Sequence, residues 1–354
     1  MNTLKIGLAG FGTGGRFFHA PLIASTQGFQ LTAIHTRSES NRAHAKRHFP
    51  EVALVDEYAD LLANTELDVI VLSIPNHLHF PQAAQALQAG KNVVVDKPFT
   101  VTSDEAKQLI GLAKEVKKTL TVFHNRRLDG GYFTLLEYFD KKTLGEIVQF
   151  EARFDRYRKE LRPNSWKEKP MPGSGILYDL GSHLIDQSLQ LFGLPENLFA
   201  RLNSQRPGAE TIDDFEIFLN YKSGLNVRLG ANMLSRTPGF AYRAVGLEAT
   251  LEIGGTDGQE EVLRKGILPS STESWSEQLN PQHACFYTIK DSNIEAVSVD
   301  CHVGNYLAFY QNLHRHLTEN EALMVKAEEA IQVVQLIELA IESNRQQRSL
   351  VVKI

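Results

Sequence analysis

Leu4-Lys5-Ile6-Gly7-Leu8-Ala9-Gly10-Phe11-Gly12-Thr13-Gly14-Gly15-Arg16-Phe17-Phe18-His19 is the stretch on which the fold turns. Its first six residues are an apolar run of strand length that stops at a glycine, and a segment able to open a helix follows. In the turn itself, Gly10 permits a tight bend, Gly12 lets another group approach the backbone, and Gly15 lets helix and strand pack closely. A strand, a Gly-x-Gly-x-x-Gly turn and a helix in that order make a phosphate-binding unit, with amides at the helix N-terminus facing a pyrophosphate. Taken alone, the same turn also reads as an ordinary glycine-rich loop.

The residues that follow remove most of that ambiguity. Apolar runs recur at residues 31–35, 53–55, 69–74, 93–95 and 120–123, separated by helical periodicity, which is the pattern of a parallel sheet with crossover helices. Pro81 falls in the first turn of the 79–90 stretch and Gly90 just past its end, the usual helix asymmetry. Thr102 and Glu105 predict a capping box for a helix ending near Lys118. Residues 1–124 therefore read as a Rossmann-type, doubly wound α/β domain of six strands. Beyond Asn125 the alternating runs lengthen (146–154, 214–221, 225–233, 242–247, 249–253) and predict a large, mostly antiparallel open sheet within 125–354. One helix is predicted over 176–192. Another covers 325–343, free to pack back on the first domain, and 254–272 reads as an excursion from the sheet.

Composition narrows the functions. At 354 residues the chain exceeds one ordinary core, and a net charge of −5 spread over mixed acids and bases offers neither a basic stripe nor a cationic amphipathic helix. Neither nucleic acid nor membrane is an expected partner. The two cysteines, Cys285 and Cys301, have no metal-ligand or CxxC spacing, and no cleavage signal follows the first apolar run. A cytoplasmic protein without bound metal is expected.

The strand ends carry the candidate binding residues. His35-Thr36-Arg37-Ser38 stands where an NAD site would place an acidic residue on the ribose hydroxyls. A hydroxyl followed by a guanidinium fits a 2′-phosphate, because arginine offers a planar fork of donors; Thr36, Arg37 and Ser38 thus favour NADP(H) over NAD(H). Alternatively, Arg37 is a surface cation or stacks on adenine. Ile74, Asn76 and His79, in the segment that ends the fourth run, are placed to touch the cofactor; the other reading is that Pro75 and Asn76 only make a turn and His79 caps a helix. Asp96-Lys97-Pro98 ends the fifth run. Lys97 there would stabilise the negative oxygen of a reacting alcohol, unless it is an ordinary surface lysine. With Phe11, Thr13 and Gly14 of the turn, and Asp96, these residues complete the cofactor candidates.

In the second half, Gly173-Ser174-Gly175-Ile176-Leu177-Tyr178-Asp179-Leu180-Gly181-Ser182-His183 puts Asp179 and His183 at i and i+4, on one face of an α-helix. A carboxylate beside an imidazole fixes its tautomer and raises its basicity, as a base removing an alcohol proton needs. A satisfied core histidine looks the same in sequence, and a zinc site lacks clear third and fourth ligands.

With these motifs in place, the chain resembles the glucose–fructose oxidoreductase/inositol dehydrogenase family over essentially its whole length. The resemblance is carried by Ala9–Gly15, by Lys97-Pro98 and by residues 173–187. Within the family it is similar to the NADP-dependent scyllo-inositol dehydrogenases, through segments such as Phe18-His19-Ala20-Pro21 and Phe123-His124-Asn125-Arg126-Arg127. The resemblance implies a Rossmann domain followed by an α/β domain, packing as homodimers or homotetramers, with Lys97, Asp179 and His183 on the family's catalytic positions. One departure is Asp96, where the family usually has Glu. The expected activity is reversible hydride transfer between a nicotinamide and one secondary hydroxyl of a cyclitol (scyllo-inositol to scyllo-inosose). In the oxidation direction His183 takes the hydroxyl proton, Asp179 orients it and Lys97 stabilises the oxygen. Asn125, Tyr157 and Trp166 are further candidates to line the substrate site. Rival readings are a dehydrogenase of another sugar and a catalytically silent, cofactor-sensing regulator.

Overall fold

The computed structural model describes residues 3–163, 165–237, 239–269, 275, 279 and 282–354, and these form two compact units. The first contains β1 (Leu4–Ala9), β2 (Phe29–His35), β3 (Ala53–Val55), β4 (Val69–Leu72), β5 (Asn92–Asp96) and β6 (Leu120–Phe123). They pair in parallel in the order β3-β2-β1-β4-β5-β6. Central β4 is buried at all four positions, as a strand covered on both faces requires. Strand order reverses between β1 and β4, so their following loops diverge and leave a crevice at the carboxyl edge, where open α/β sheets take ligands. All six expected strands are present, with ends within two residues of the apolar runs.

The helix signals act as the sequence suggests. Helix His79–Gln88 is followed by Gly90 at a φ of +74°. Helix Ser103–Glu115 opens with a capping box in which the Glu105 amide donates to Thr102 Oγ1 at 3.3 Å and the Thr102 amide donates to Glu105 Oε2 at 3.1 Å. It stops short of Lys118, next to Lys117 in the left-handed region.

The first unit also recruits returning chain, within 259–278 and 305–331. Helix Leu307–Glu319 stacks Phe309 and Tyr310 on Phe123, with ring centroids 4.9 and 5.9 Å apart. Inside the 254–272 excursion lies a helix, Gln259–Arg264, while residues 270–272 fall outside the described residues.

The second unit is built on a nine-stranded sheet. Its strands are β7 (Ile147–Arg153), β8 (Asn197–Asn203), β9 (Asp214–Asn220), β10 (Asn226–Asn232), β11 (Phe240–Gly246), β12 (Thr250–Gly254), β13 (His283–Lys290), β14 (Asn293–Asp300) and β15 (Leu350–Val351). The order is β14-β13-β12-β11-β7-β10-β9-β8-β15, antiparallel throughout except for the parallel β7–β10 pair. The sequence patterns pass over β8, β13, β14 and β15. β14 has no buried residue, so it lacks a hydrophobic period; it is held by register with β13 across a tight turn whose Asp291 and Ser292 both take positive φ. Among the described residues no helix is long and apolar enough to cross a membrane.

Candidate active site

The glycine turn divides into positions the fold needs and one it leaves open. Gly10 has a φ of +91°, and a Cβ there would lie 2.1 Å from the Ser73 carbonyl oxygen. A Cβ on Gly15 would lie 2.1 Å from the Gly10 carbonyl oxygen. Both sites exclude any side chain. At Gly12, by contrast, a Cβ would meet no described protein atom within 4 Å, so packing does not demand glycine there, whereas close approach of a phosphate to the backbone would. The loop thus fits a dinucleotide. It leads into a π turn, Gly15–His19, that continues as α-helix Ala20–Ala24. Phe11 is buried, its ring edge-on to Phe49 at 6.4 Å, so it joins the loop through its backbone; Thr13 lies exposed on the turn.

Asp96, at the end of β5, gathers residues that are far apart in sequence. Its Oδ2 accepts from Ser73 Oγ at 3.3 Å and lies 3.5 Å from His19 Nε2, while Oδ1 accepts from the Lys97 amide at 2.8 Å. The same Oδ2 would be 2.8 Å from a Cβ at Gly14, which places this carboxylate against the glycine loop. Burial alone would raise the Asp96 carboxyl, but the contact and charge of His19, then Lys97 and His79, outweigh it and hold the group at about 2. The far side of His19 is fixed too: its Nδ1 is 2.6 Å from the Tyr310 hydroxyl, on the returning helix. Lys97 is half-buried and joined to Pro98 by a cis peptide.

His79 needs a correction on both earlier readings. It is fully buried, and its Nδ1 and Nε2 lie 2.8 and 3.1 Å from the carbonyl oxygens of Pro98 and Ile74. Its ring is therefore enclosed between the loops after β4 and β5 instead of touching a cofactor or capping its helix, which has no side-chain cap. Burial is the leading influence on its ring and pushes the pKa down. Asn76 is buried at the start of the 3-10 turn Asn76–Leu78, beside Ile74, whose side chain packs against Gly10.

At the end of β2, Thr36 is buried and Arg37 exposed, while Ser38 caps helix Glu39–His48 by accepting from the Asn41 amide at 3.4 Å. The His35 ring is held below its usual value by burial first and by the Arg37 charge second.

In the second unit, Gly175 takes a φ of +82°, and the Ile176 amide donates to the Ile212 carbonyl at 2.8 Å, anchoring the next helix. That helix does not begin as α. Leu177–Gly181 form a π turn before α-helix Ser182–Phe192, so the backbone that carries Asp179 is wound more widely than an ideal α-helix. Asp179 accepts from Lys167 Nζ at 2.7 Å, a partner that sequence spacing did not nominate. Trp166 and Lys167 share the 3-10 turn Trp166–Glu168, with the ammonium 5.9 Å from the indole. His183 is buried in the first turn of the α-helix.

That helix is fixed by a bidentate pair, Arg127 Nε to Asp186 Oδ2 at 2.8 Å and Nη2 to Oδ1 at 2.6 Å, both side chains buried. Gln187 reinforces it by donating to the Arg126 carbonyl at 2.7 Å and accepting from the Tyr242 hydroxyl at 3.1 Å. Asn125 is buried where the 3-10 turn Asn125–Leu128 begins. Tyr157 is exposed; its ring lies 4.6 Å from the Arg236 guanidinium, which also donates to its hydroxyl at 3.2 Å.

Comparison with known proteins agrees with this architecture. Residues 4–124 match the NAD-binding Rossmann fold of an oxidoreductase family, and residues 139–354 match the C-terminal alpha/beta domain of the same family. The chain is 40% identical to the uncharacterized oxidoreductase YdgJ of Escherichia coli over 99% of both chains. It is 33% identical to the scyllo-inositol 2-dehydrogenase (NADP(+)) IolW of Bacillus subtilis, over 100% of this chain and 97% of that one. A solved structure from Yersinia pestis superposes with a TM-score of 0.91 at 38% identity, covering 100% of this chain and 98% of the other. The chain therefore belongs to the Gfo/Idh/MocA oxidoreductase family and carries its NAD(P)-binding Rossmann domain.

Proposed function

We propose that the protein interconverts a secondary alcohol of a cyclitol, with scyllo-inositol as the leading substrate, and the corresponding ketone, using NADP(H) in preference to NAD(H). The observation that carries this reading is the cluster at the carboxyl edge of the first sheet, where Asp96, beside Lys97, packs against the glycine loop. Likeness to IolW supports the substrate, and the exposed Arg37 at the end of β2 supports the 2′-phosphate.

When bound, the nicotinamide supplies or accepts the hydride. Lys97 donates a hydrogen bond to the reacting oxygen and stabilises its negative charge. His183 takes the hydroxyl proton during oxidation and returns it during reduction. Asp179, tied to Lys167, is a positioning residue for this proton transfer. Thr36, Arg37 and Ser38 receive the adenosine ribose end, and Gly10 to Gly15 the pyrophosphate. Homodimers or homotetramers are part of the same reading.

The test is reduced-nicotinamide absorbance with scyllo-inositol, myo-inositol and a panel of aldoses, each with NADP and NAD. Turnover of scyllo-inositol with a strong NADP preference, reduced by Arg37→Ala more for NADP than for NAD, is the expected result. Turnover confined to sugars moves the substrate, and silence with tight NADPH binding favours the regulator.

A further inference from the structure

The second unit carries a concentration of positive charge that proton transfer does not use. Beyond β7 the chain stays extended: the Arg156 amide donates to the Asn232 carbonyl at 2.9 Å and the Arg158 amide to the Met233 carbonyl at 2.7 Å. Residues two apart on an extended segment project to the same side, so Arg156 and Arg158 face one way while Tyr157, between them, faces Arg236. Arg156, Arg158, Arg162 and Lys167 line one pocket together with the carboxylates of Glu168 and Asp179.

The floor of this pocket is built from buried charge. Arg206 has a side chain only 2% exposed; its Nε donates to Asp213 Oδ2 at 2.9 Å and its Nη2 to Glu168 Oε2 at 2.7 Å. Asp213 is itself locked by the amides of Gln205 and Arg206, at 2.7 and 3.0 Å. Glu168 and Asp213 both face Arg206, and Asp179 faces Lys167, while the lining also brings in Arg156, Arg158 and Arg162. Guanidinium groups gathered so closely repel one another, and an added anion would ease that repulsion. It shows at Arg158, which is held below its usual value by burial and by the charges of Arg162 and Arg156.

We propose that this pocket binds an anionic oxygen group carried by the substrate, a phosphate or a carboxylate on a polyol or sugar. The guanidinium forks of Arg158 and Arg162 would supply paired donors to such oxygens. The pocket also contains Asp179, so the anionic substituent would be gripped beside the positioning carboxylate, and neutral cyclitols would engage only part of the site. This inference rests on the polyol oxidoreductase reading for its substrate class.

Two measurements test it on the full-length protein. In the first, kcat/KM with NADP is compared for scyllo-inositol, myo-inositol, myo-inositol 1-phosphate, D-glucose, glucose 6-phosphate and D-glucuronate. An advantage of tenfold or more for either anionic group over its neutral counterpart, falling below threefold in Arg158→Gln and Arg162→Gln, is expected. Preference for the phosphates or for glucuronate decides which anion the pocket takes. Equal kcat/KM for charged and neutral substrates would overturn the inference while leaving the oxidoreductase reading intact. In the second, calorimetry follows binding of myo-inositol 1-phosphate and D-glucuronate to the NADP-saturated protein. Were no polyol or sugar turned over, the oxidoreductase reading would fail, yet binding weakened tenfold or more by both substitutions would still uphold the anion pocket. Binding that neither substitution alters would remove it.

Discussion

After β1, Gly10 at a φ of +91° is followed by the π turn Gly15–His19 and a short α-helix; in the second unit, Gly175 at +82° precedes the π turn Leu177–Gly181 and the longer helix Ser182–Phe192. The local form is shared, but the working parts differ. In the first, the functional surface is main chain, and glycines are required because added atoms would strike the carbonyl oxygens of Ser73 and Gly10. In the second the proposed function falls to side chains: Lys167 pairs with Asp179, and the buried Arg127–Asp186 pair fixes the helix that carries His183. Main-chain function leaves its mark as glycine spacing, whereas side-chain function depends on partners that the fold brings from elsewhere.

The contrast breaks most visibly at Arg127. Arg127→Met removes the bidentate partner of the buried Asp186 carboxylate, and the expected cost is ~3–5 kcal/mol in denaturant unfolding. Replacing both residues with apolar ones should recover much of that loss. If the single substitution costs under about 1 kcal/mol, the pair does not hold the second helix.

The main-chain side is sharpened by two alanines. Gly15→Ala, forced against the Gly10 carbonyl, should cost up to ~3 kcal/mol. Gly12→Ala should leave the thermal midpoint in place and weaken NADPH binding tenfold or more. Equal effects of the two on stability would contradict the division between positions the fold needs and the one it leaves open.

Asp96 tests the electrostatics of the first unit. Its carboxyl is at about 2 in the folded protein against an ordinary 3.8, so its contribution is fully present above pH 4 and is lost as the pH falls toward 2. The contribution is on the order of 2 kcal/mol. Asp96→Asn should therefore be less stable than the parent at pH 7, with the two curves converging near pH 2. Curves that stay parallel would show that the Asp96 charge is not the stabilising element. The smallest effect is expected at Thr102→Ala, which removes one side of the capping box, for ~1 kcal/mol by thermal unfolding.

The same contrast explains how much was legible from sequence. The six parallel strands, the capping box and the glycine turn rest on local signals: apolar runs, a Thr-x-x-Glu spacing and glycines. β14 has no buried residue to give it a period, and the return of Leu307–Glu319 to the first unit depends on aromatic packing with Phe123 that no local pattern records. Of the proposed catalytic residues, Lys97 and His183 stand out by motif. The Lys167–Asp179 contact joins a separate 3-10 turn to this helix, and the His79 ring is walled in between the Pro98 and Ile74 carbonyls; no local pattern records either.

In the proposed reaction Lys97 and His183 act on one polyol hydroxyl, and the most direct measurement is turnover of scyllo-inositol with NADP by Lys97→Ala and His183→Ala, alongside NADPH affinity by fluorescence. The account predicts a fall of two or more orders of magnitude in kcat for each, with NADPH affinity within about threefold of the parent. Near-parental turnover in either variant would contradict it.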